Sequence, residues 1–296
     1  MRWRMQWAWL FAAAWCAAAA AGDAGTNGTG PTQPARRIVS LSPHITENLF
    51  AIGAGSRVVG TVEFSNYPEE AKRIRQIGSY EKIDLEAVAA LRPDLVLAWE
   101  SGNSASHVAR LRAIGLNVAV TEARRIEDVP ADLERLGALA GAGTGARAAA
   151  ARFRERLATL RARYGERPKV RAFYQVWHQP LMTVGGGQII SDAMRLCGGE
   201  NVFEALKPMA AAVTVEAVLA ADPEAIVASG MGEEHPEWLD EWRRWPRLTA
   251  VARGNLFFVH PDHIQRHTPR ILDGIERLCQ HLETARARRP APAKGQ

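Results

Sequence analysis

The segment Leu85-Glu86-Ala87-Val88-Ala89-Ala90-Leu91-Arg92-Pro93-Asp94-Leu95-Val96-Leu97-Ala98 returns, 130 residues further on, as Val215-Glu216-Ala217-Val218-Leu219-Ala220-Ala221-Asp222-Pro223-Glu224-Ala225-Ile226-Val227-Ala228. Solenoids repeat every ~20 to 50 residues, whereas ~100 to 150 residues is the size of a domain. The repeat therefore points to two similar lobes. Each copy reads as a short helix carrying an acidic residue, a turn whose proline cannot continue the helix, and an apolar run suited to a parallel strand buried on both faces.

A chain of 296 residues is long enough for two lobes with their own cores. Its front end stands apart. Arg2 and Arg4 precede an alanine-rich apolar stretch from Ala8 to Ala21, and Gly/Thr/Asn/Pro-rich sequence follows to Pro34. This predicts a secretory signal over residues 1–21 and a linker over 22–35. The apolar stretch is shorter than the ~20 residues that span a bilayer, and the bulky Trp15 before Cys16 argues against a lipid anchor. Export to the periplasm is the expectation. The formal charge of +5 falls by two when Arg2 and Arg4 are removed, and so mild an excess implies no nucleic-acid partner. Arg147, Arg152, Arg154, Arg156, Arg161 and Arg163 alternate with Ala, Leu and Glu at helical spacing, as on a solvated helix face. Cys197 and Cys279 survive processing into an oxidising compartment and make one possible disulfide, which would pin the last helix to the second lobe.

Strand and helix patterns alternate from Ile38 onward, the signature of a parallel α/β sheet, and the N-terminal lobe is expected over 36–140. Phe153, Leu157, Leu160 and Tyr164 then form an apolar stripe at spacings of three and four, which predicts one long helix over 144–165 that bridges the lobes. A C-terminal α/β lobe is expected over 168–285, and the Arg/Ala/Pro-rich stretch 286–296 reads as disordered.

In open α/β sheets ligands bind beyond the carboxyl ends of the strands. Aromatic residues make up 7% of the chain, yet Phe64, Tyr67, Tyr80, Trp99 and Trp177 all fall just after predicted strands, as a cleft for a bulky planar ligand requires. Tyr67 is expected to cap its lobe's core. Polar residues Asp262, His263 and Arg266 follow the strand that ends near Val259. Enzyme readings find little support: Ser42 lacks a nucleophile-elbow pattern, no phosphate-binding GxxxxGK[ST] loop is present, and Gly185-Gly186-Gly187 reads as a turn. His260, His263 and His267 lack the spacing and companions of a metal site. No catalytic residue and no metal ligand is assigned.

The motifs Ile38-Val39-Ser40-Leu41-Ser42-Pro43, Gly53-Ala54-Gly55, Ser65-Asn66-Tyr67-Pro68, the doubled Glu-Ala-Val unit, Cys197-Gly198-Gly199-Glu200-Asn201-Val202-Phe203 and Pro269-Arg270-Ile271 together carry a resemblance over about residues 36 to 283. The chain resembles the helical-backbone substrate-binding proteins of ABC importers, and among them the periplasmic cobalamin-binding branch. The resemblance implies two α/β lobes with parallel sheets joined by one long α-helix, a largely preformed cleft between them, and no enzymatic activity. It implies cobalamin or a related corrinoid as ligand, with Phe64, Tyr80, Trp99 and Trp177 against the corrin and Asp262, His263 and Arg266 on the opposite wall. Haem, with Tyr80, His178 or His263 as axial ligand, or a ferric siderophore gripped by Arg266, are the alternatives. The resemblance further implies that a monomer docks on an ABC permease dimer in the inner membrane through one acidic residue per lobe, here Glu86 and Glu216.

Overall fold

The structure, a computed structural model, describes residues 34–230 and 235–290. The expected signal segment, most of the linker and residues 291–296 lie outside them. The last two linker positions are part of the fold: Ala35 is buried, and its carbonyl accepts from Arg57.

The N-terminal lobe alternates β1 (Ile38–Ser40), α1 (Pro43–Ala51), β2 (Val58–Gly60), α2 (Leu85–Ala90), β3 (Leu95–Trp99), α3 (Ala105–Ala113), β4 (Val118–Thr121) and α4 (Asp128–Ala140). Its strands form one parallel sheet in the order β2-β1-β3-β4. A single helix, α5 (Gly143–Tyr164), follows. The C-terminal lobe then runs β5 (Val170–Gln175), β6 (Met182–Val184), α6 (Ile189–Leu196), β7 (Gly199–Asn201), β8 (Ala210–Ala212), α7 (Val215–Ala221), β9 (Ala225–Ala228), α8 (Thr249–Ala252), β10 (Leu256–Phe258), α9 (Pro261–Ile264) and α10 (Ile271–Ala287). Its parallel sheet is ordered β10-β9-β5-β7. Read from β7, this is the topology of the first sheet. The antiparallel pair β6-β8, a 3-10 helix over Pro236–Arg244 and the one-turn helix α9 are among the features outside the sequence expectation.

The repeat extends into atomic detail. Asp84 and Thr214 cap the first turns of α2 and α7, their side chains accepting from the backbone N–H of Ala87 and Ala217. The turns that follow contain Arg92 and Asp222, both non-glycine residues in the left-handed region, at φ 44° and 39°. Asp94 and Glu224 then accept from the backbone N–H of Arg37 and Arg171, which begin or precede the first strand of each sheet. The two arginine side chains in turn donate to the carbonyls of Leu91 and Ala221, at the ends of the repeated helices.

Helix α5 has 22 residues, so at 1.5 Å per residue it is about 33 Å long. Phe153, Leu157, Leu160 and Tyr164 are buried as expected, and they belong to one apolar core that joins Ile38 and Leu49 of the first lobe to Tyr174 and Met194 of the second. Gly145 lets α5 approach α1, because a Cβ there would sit 2.1 Å from the carbonyl oxygen of Ile52. The opposite face of α5 is solvated, with Arg154 paired to Glu134 and Arg156 to Asp273. Cys197 and Cys279 are bonded, with Cα atoms 4.7 Å apart, and tie α10 to the end of α6. One expectation is corrected at the carboxyl end. Residues 286–290 are ordered: α10 runs to Ala287, Arg286 donates to the carbonyls of Pro168 and Cys197, and Arg289 grips Glu224. These arginines tie the end of α10 to the start of β5, the end of α6 and the turn before β9.

Candidate functional site: a cleft at the two switch points

In a sheet ordered 2-1-3-4 the crevice opens where the chain reverses direction across the sheet, between the first and third strands. Here those points lie between β1 and β3, and between β5 and β9. Trp99 ends β3 and Trp177 follows β5, so each tryptophan comes from one of the two strands that flank the switch point of its own lobe.

Two contiguous hollows occupy the cleft, with Tyr80, Trp99 and Gln265 in the walls of both. The smaller, about 220 Å³, also has Phe64, His44, Asp262 and Arg266 in its wall. The larger, about 670 Å³, adds Trp177, Met182, Ile190 and His267. Of the seven residues expected at the ligand site, six line this cleft, and His263 does not. Asp262, in α9, and Arg266, just beyond its end, are spaced by four on the chain and pair at 2.6 Å. His263, turned away by the ~100° per residue of a helix, stacks on His260 with ring centroids 4.8 Å apart. His178 is also turned aside, against Trp238 and Glu241. Tyr67 does not cap the core: it is 45% exposed, with the Arg270 guanidinium 3.7 Å from its ring centroid.

Each aromatic is held by the fold. The backbone N–H of Trp99 donates to Asn103 Oδ1 at 2.7 Å, and Asn103 Nδ2 donates to the carbonyls of Leu41 and Tyr80, so one buried amide ties three cleft segments together. The indole lies over Gly102, where a Cβ would come within 1.8 Å of the ring. Trp177 donates its ring N–H to the carbonyl of Gln179 and packs edge-on against Trp238 at 5.6 Å. Phe64 sits at φ 62°, its carbonyl accepting from Arg266 Nη2 at 2.8 Å. Its ring is 41% exposed at the mouth of the cleft. Burial, with Glu81 nearby, raises the Tyr80 hydroxyl above its ordinary pKa, so it is a neutral donor at pH 7.

Asp262 and Arg266 face the smaller hollow, but their polar atoms are engaged across the lobes. Asp262 accepts from Asn66 Nδ2, while Arg266 donates to Asn66 Oδ1 and lies 3.7 Å from Glu47. Buried Glu47 accepts from Thr268 and from both arms of Arg270. Glu47, Asn103, Gln265, His44 and His267 were not among the expected site residues. Their types are ordinary in helices and turns, and only the tertiary fold brings them to the cleft.

The arrangement suits binding. Ser42 Oγ lies 2.6 Å from His44 Nδ1, but among the described residues no carboxylate orients the second ring nitrogen, as a nucleophile–base pair requires. Among the described residues no group of three His, Cys, Asp or Glu side chains is disposed to hold a metal ion, and no helix is long and apolar enough to cross a membrane.

Relatives and solved structures match this chain over most of its length. The chain is 34% identical over 257 residues to the vitamin B12-binding protein of Vibrio parahaemolyticus, covering 87% of this chain and 93% of the relative. It is 34% identical over 252 residues to the protein of the same name from Yersinia pestis, covering 85% and 88%. Among solved structures, the periplasmic vitamin B12-binding protein BtuF of Vibrio cholerae superposes with a TM-score of 0.79 at 32% identity, over 86% of this chain and 98% of that one. A periplasmic heme-binding protein of Pseudomonas aeruginosa, at 23% identity and TM-score 0.74 over 87% and 95%, shares the fold. The family model described as periplasmic binding protein matches residues 38–263, and the chain belongs to that family.

Proposed function

We propose that this protein is a periplasmic receptor that captures cobalamin or a related corrinoid and, as a monomer, delivers it to an ABC permease dimer in the inner membrane. The observation that carries the reading is the gathering of Phe64, Tyr80, Trp99 and Trp177 around one cleft between two lobes, in a chain whose relatives are vitamin B12-binding proteins. Rigid rings offer a planar macrocycle large apolar contact at little cost in side-chain entropy. The contiguous hollows fall in the size range of small-molecule sites. Phe64 and Tyr80 would contact one edge of the corrin, with Trp99 and Trp177 closing on it from the two lobes. Asp262 and Arg266 support the wall by holding Phe64 and Asn66 in place. The metal of the corrin is part of the cargo.

Glu86 and Glu216 serve docking in this reading. Each is the second residue of its capped helix, outside both hollows. Hydrogen bonds from its own backbone N–H and from Thr214 hold the Glu216 carboxyl below its ordinary pKa, so it stays ionised.

The test is the absorption spectrum of purified protein incubated with cyanocobalamin, haemin or a ferric siderophore and then desalted. A retained corrin spectrum is expected. A retained Soret band with no corrin bands would move the reading to haem.

A further inference from the structure

Two buried imidazoles have no part in the roles assigned above. His44 belongs to α1 of the first lobe and His267 lies between α9 and α10 of the second, yet their ring centroids are only 5.4 Å apart. Both pack on the Trp99 indole, at 5.1 and 6.2 Å. His44 lines the smaller hollow and His267 the larger, so the pair sits at the seam of the lobes where the hollows meet.

The contacts around the rings bear on where each proton resides. Ser42 Oγ has no partner other than His44 Nδ1. The contact admits either ring nitrogen as the proton carrier; we take the form in which the hydroxyl donates to Nδ1 and the His44 proton is on Nε2. His267 Nδ1 is buried without a partner. A bare lone pair there costs less than an N–H deprived of its acceptor, so this ring too carries its proton on Nε2. Among the described residues neither Nε2 has a hydrogen-bond partner, and neither is among the buried unpartnered atoms, so each opens on the hollow its ring lines. Burial keeps both rings neutral: it pushes His267 down to about 4, and with His267 and Arg266 nearby it pushes His44 well below its ordinary value.

We propose that His44 and His267 form a pair of uncharged N–H donors, one from each lobe, that binds a neutral acceptor on the ligand, an amide carbonyl at the edge of the macrocycle. The assignment rests on the corrinoid reading, since corrins carry peripheral amides. Coordination of the ligand's metal by His267 would require moving the ring proton to Nδ1, where no acceptor exists. A donor on each side of the seam also makes the ligand a bridge between the lobes.

The experiment is calorimetry of cyanocobalamin binding to the full-length protein and to His44→Phe, His267→Phe, His44→Gln and His267→Gln. Phenylalanine keeps the ring shape without nitrogen, and glutamine restores an N–H near the Nε2 position. Each Phe variant should bind at least tenfold more weakly, and each Gln variant should recover to within about threefold of wild type, with far-UV circular dichroism unchanged. If a Phe variant does not melt cooperatively, the Leu variant at that position reads the same loss. Wild-type affinity in the folded Phe or Leu variants overturns the proposal, as do folded Gln variants that bind no better than these. A visible-band shift of aquocobalamin on binding, present in wild type and absent in His267→Phe, would overturn it in favour of metal coordination. Failure of wild type to retain cyanocobalamin defeats the corrinoid reading and this assignment together, whereas intact wild-type binding with unaffected variants defeats the assignment alone.

Discussion

Arg266 reaches from the second lobe to the first and donates Nη2 to the carbonyl of Phe64 at 2.8 Å, so a residue of the carboxyl-terminal lobe holds the exposed ring at the rim of the cleft. The same guanidinium pairs with Asp262 at 2.6 Å and approaches Glu47 at 3.7 Å, where both carboxylates are buried. Burial lowers the Arg266 pKa, against the opposing pull of Asp262 and Glu47. Such a group is costly to remove, because its carboxylate partners stay behind in a poorly solvated place.

Arg266→Met should therefore destabilise the protein by about 3 kcal/mol or more, and Arg266→Lys should recover only part of that, since an ammonium cannot reproduce the forked contacts. Denaturant melts give the stability and calorimetry the affinity. Ligand binding should weaken in both variants as Phe64 loses its tether. A Met variant as stable as wild type would remove Arg266 from the interlobe network.

Trp99→Ala and Trp177→Ala should each weaken corrinoid binding by about 1 kcal/mol or more, the usual threshold for an aromatic anchor, and leave the fold intact. Trp238→Ala should weaken binding less than Trp177→Ala, because Trp238 only supports the Trp177 ring edge-on at 5.6 Å. Equal affinities for wild type and both cleft variants by calorimetry would place the ligand elsewhere.

The lobes, the sheets and the bridging helix were legible because each is written as a local period: apolar runs for β1, β3 and β9, and the three-four spacing of Phe153, Leu157, Leu160 and Tyr164. The strand-end rule placed Trp99 and Trp177 for the same reason. Contacts between distant segments were not legible. Glu47 meets Arg270 some 220 residues along the chain, and nothing in Thr46-Glu47-Asn48 marks a glutamate that will be buried. His263 was misplaced because a loop reading ignores helical phase: the one turn of α9 puts Asp262 on the cleft side, where Arg266 just beyond the helix pairs with it, and His263 beside His260. The Trp238 support belongs to a 3-10 helix without apolar periodicity of the usual kind.

Two buried groups should give the stability opposite pH dependences. His267 is pushed to about 4 in the fold, against ~6.5 when unfolded, so between those values the unfolded chain binds more protons and stability falls as pH falls. Asp132 is pushed up to about 6 by burial, against ~3.9 unfolded, so over much of the same window the folded chain binds more protons and stability rises as pH falls. At ~1.4 kcal/mol per pKa unit the two effects are each roughly 3 kcal/mol and oppose each other in wild type, where the buried, depressed His44 adds to the His267 side. Single variants uncover them. Between pH 7 and pH 4, His267→Gln should gain stability relative to wild type, and Asp132→Asn should lose the advantage it holds at pH 7. Parallel pH profiles of stability for wild type and both variants would show that neither group is perturbed in the fold.

Docking can be separated from binding because Glu86 and Glu216 lie on helices of the repeated unit and face neither hollow. Both follow a capping residue by two positions, Asp84 and Thr214, so the backbone presents the two carboxylates in the same way on the two lobes. A permease built from two like subunits would offer a matching pair of cationic sites. Replacing both glutamates by Ala should leave corrinoid affinity within about twofold and abolish uptake in cells that lack their own receptor. Single changes should give intermediate loss. Lysine at both positions should do more harm than alanine, since like charges at the contact add repulsion to the lost attraction and slow the encounter. Wild-type transport by the double lysine variant would end the docking role; loss of ligand binding by the same variant would mean that the cleft extends to α2 and α7, and that these carboxylates belong to it.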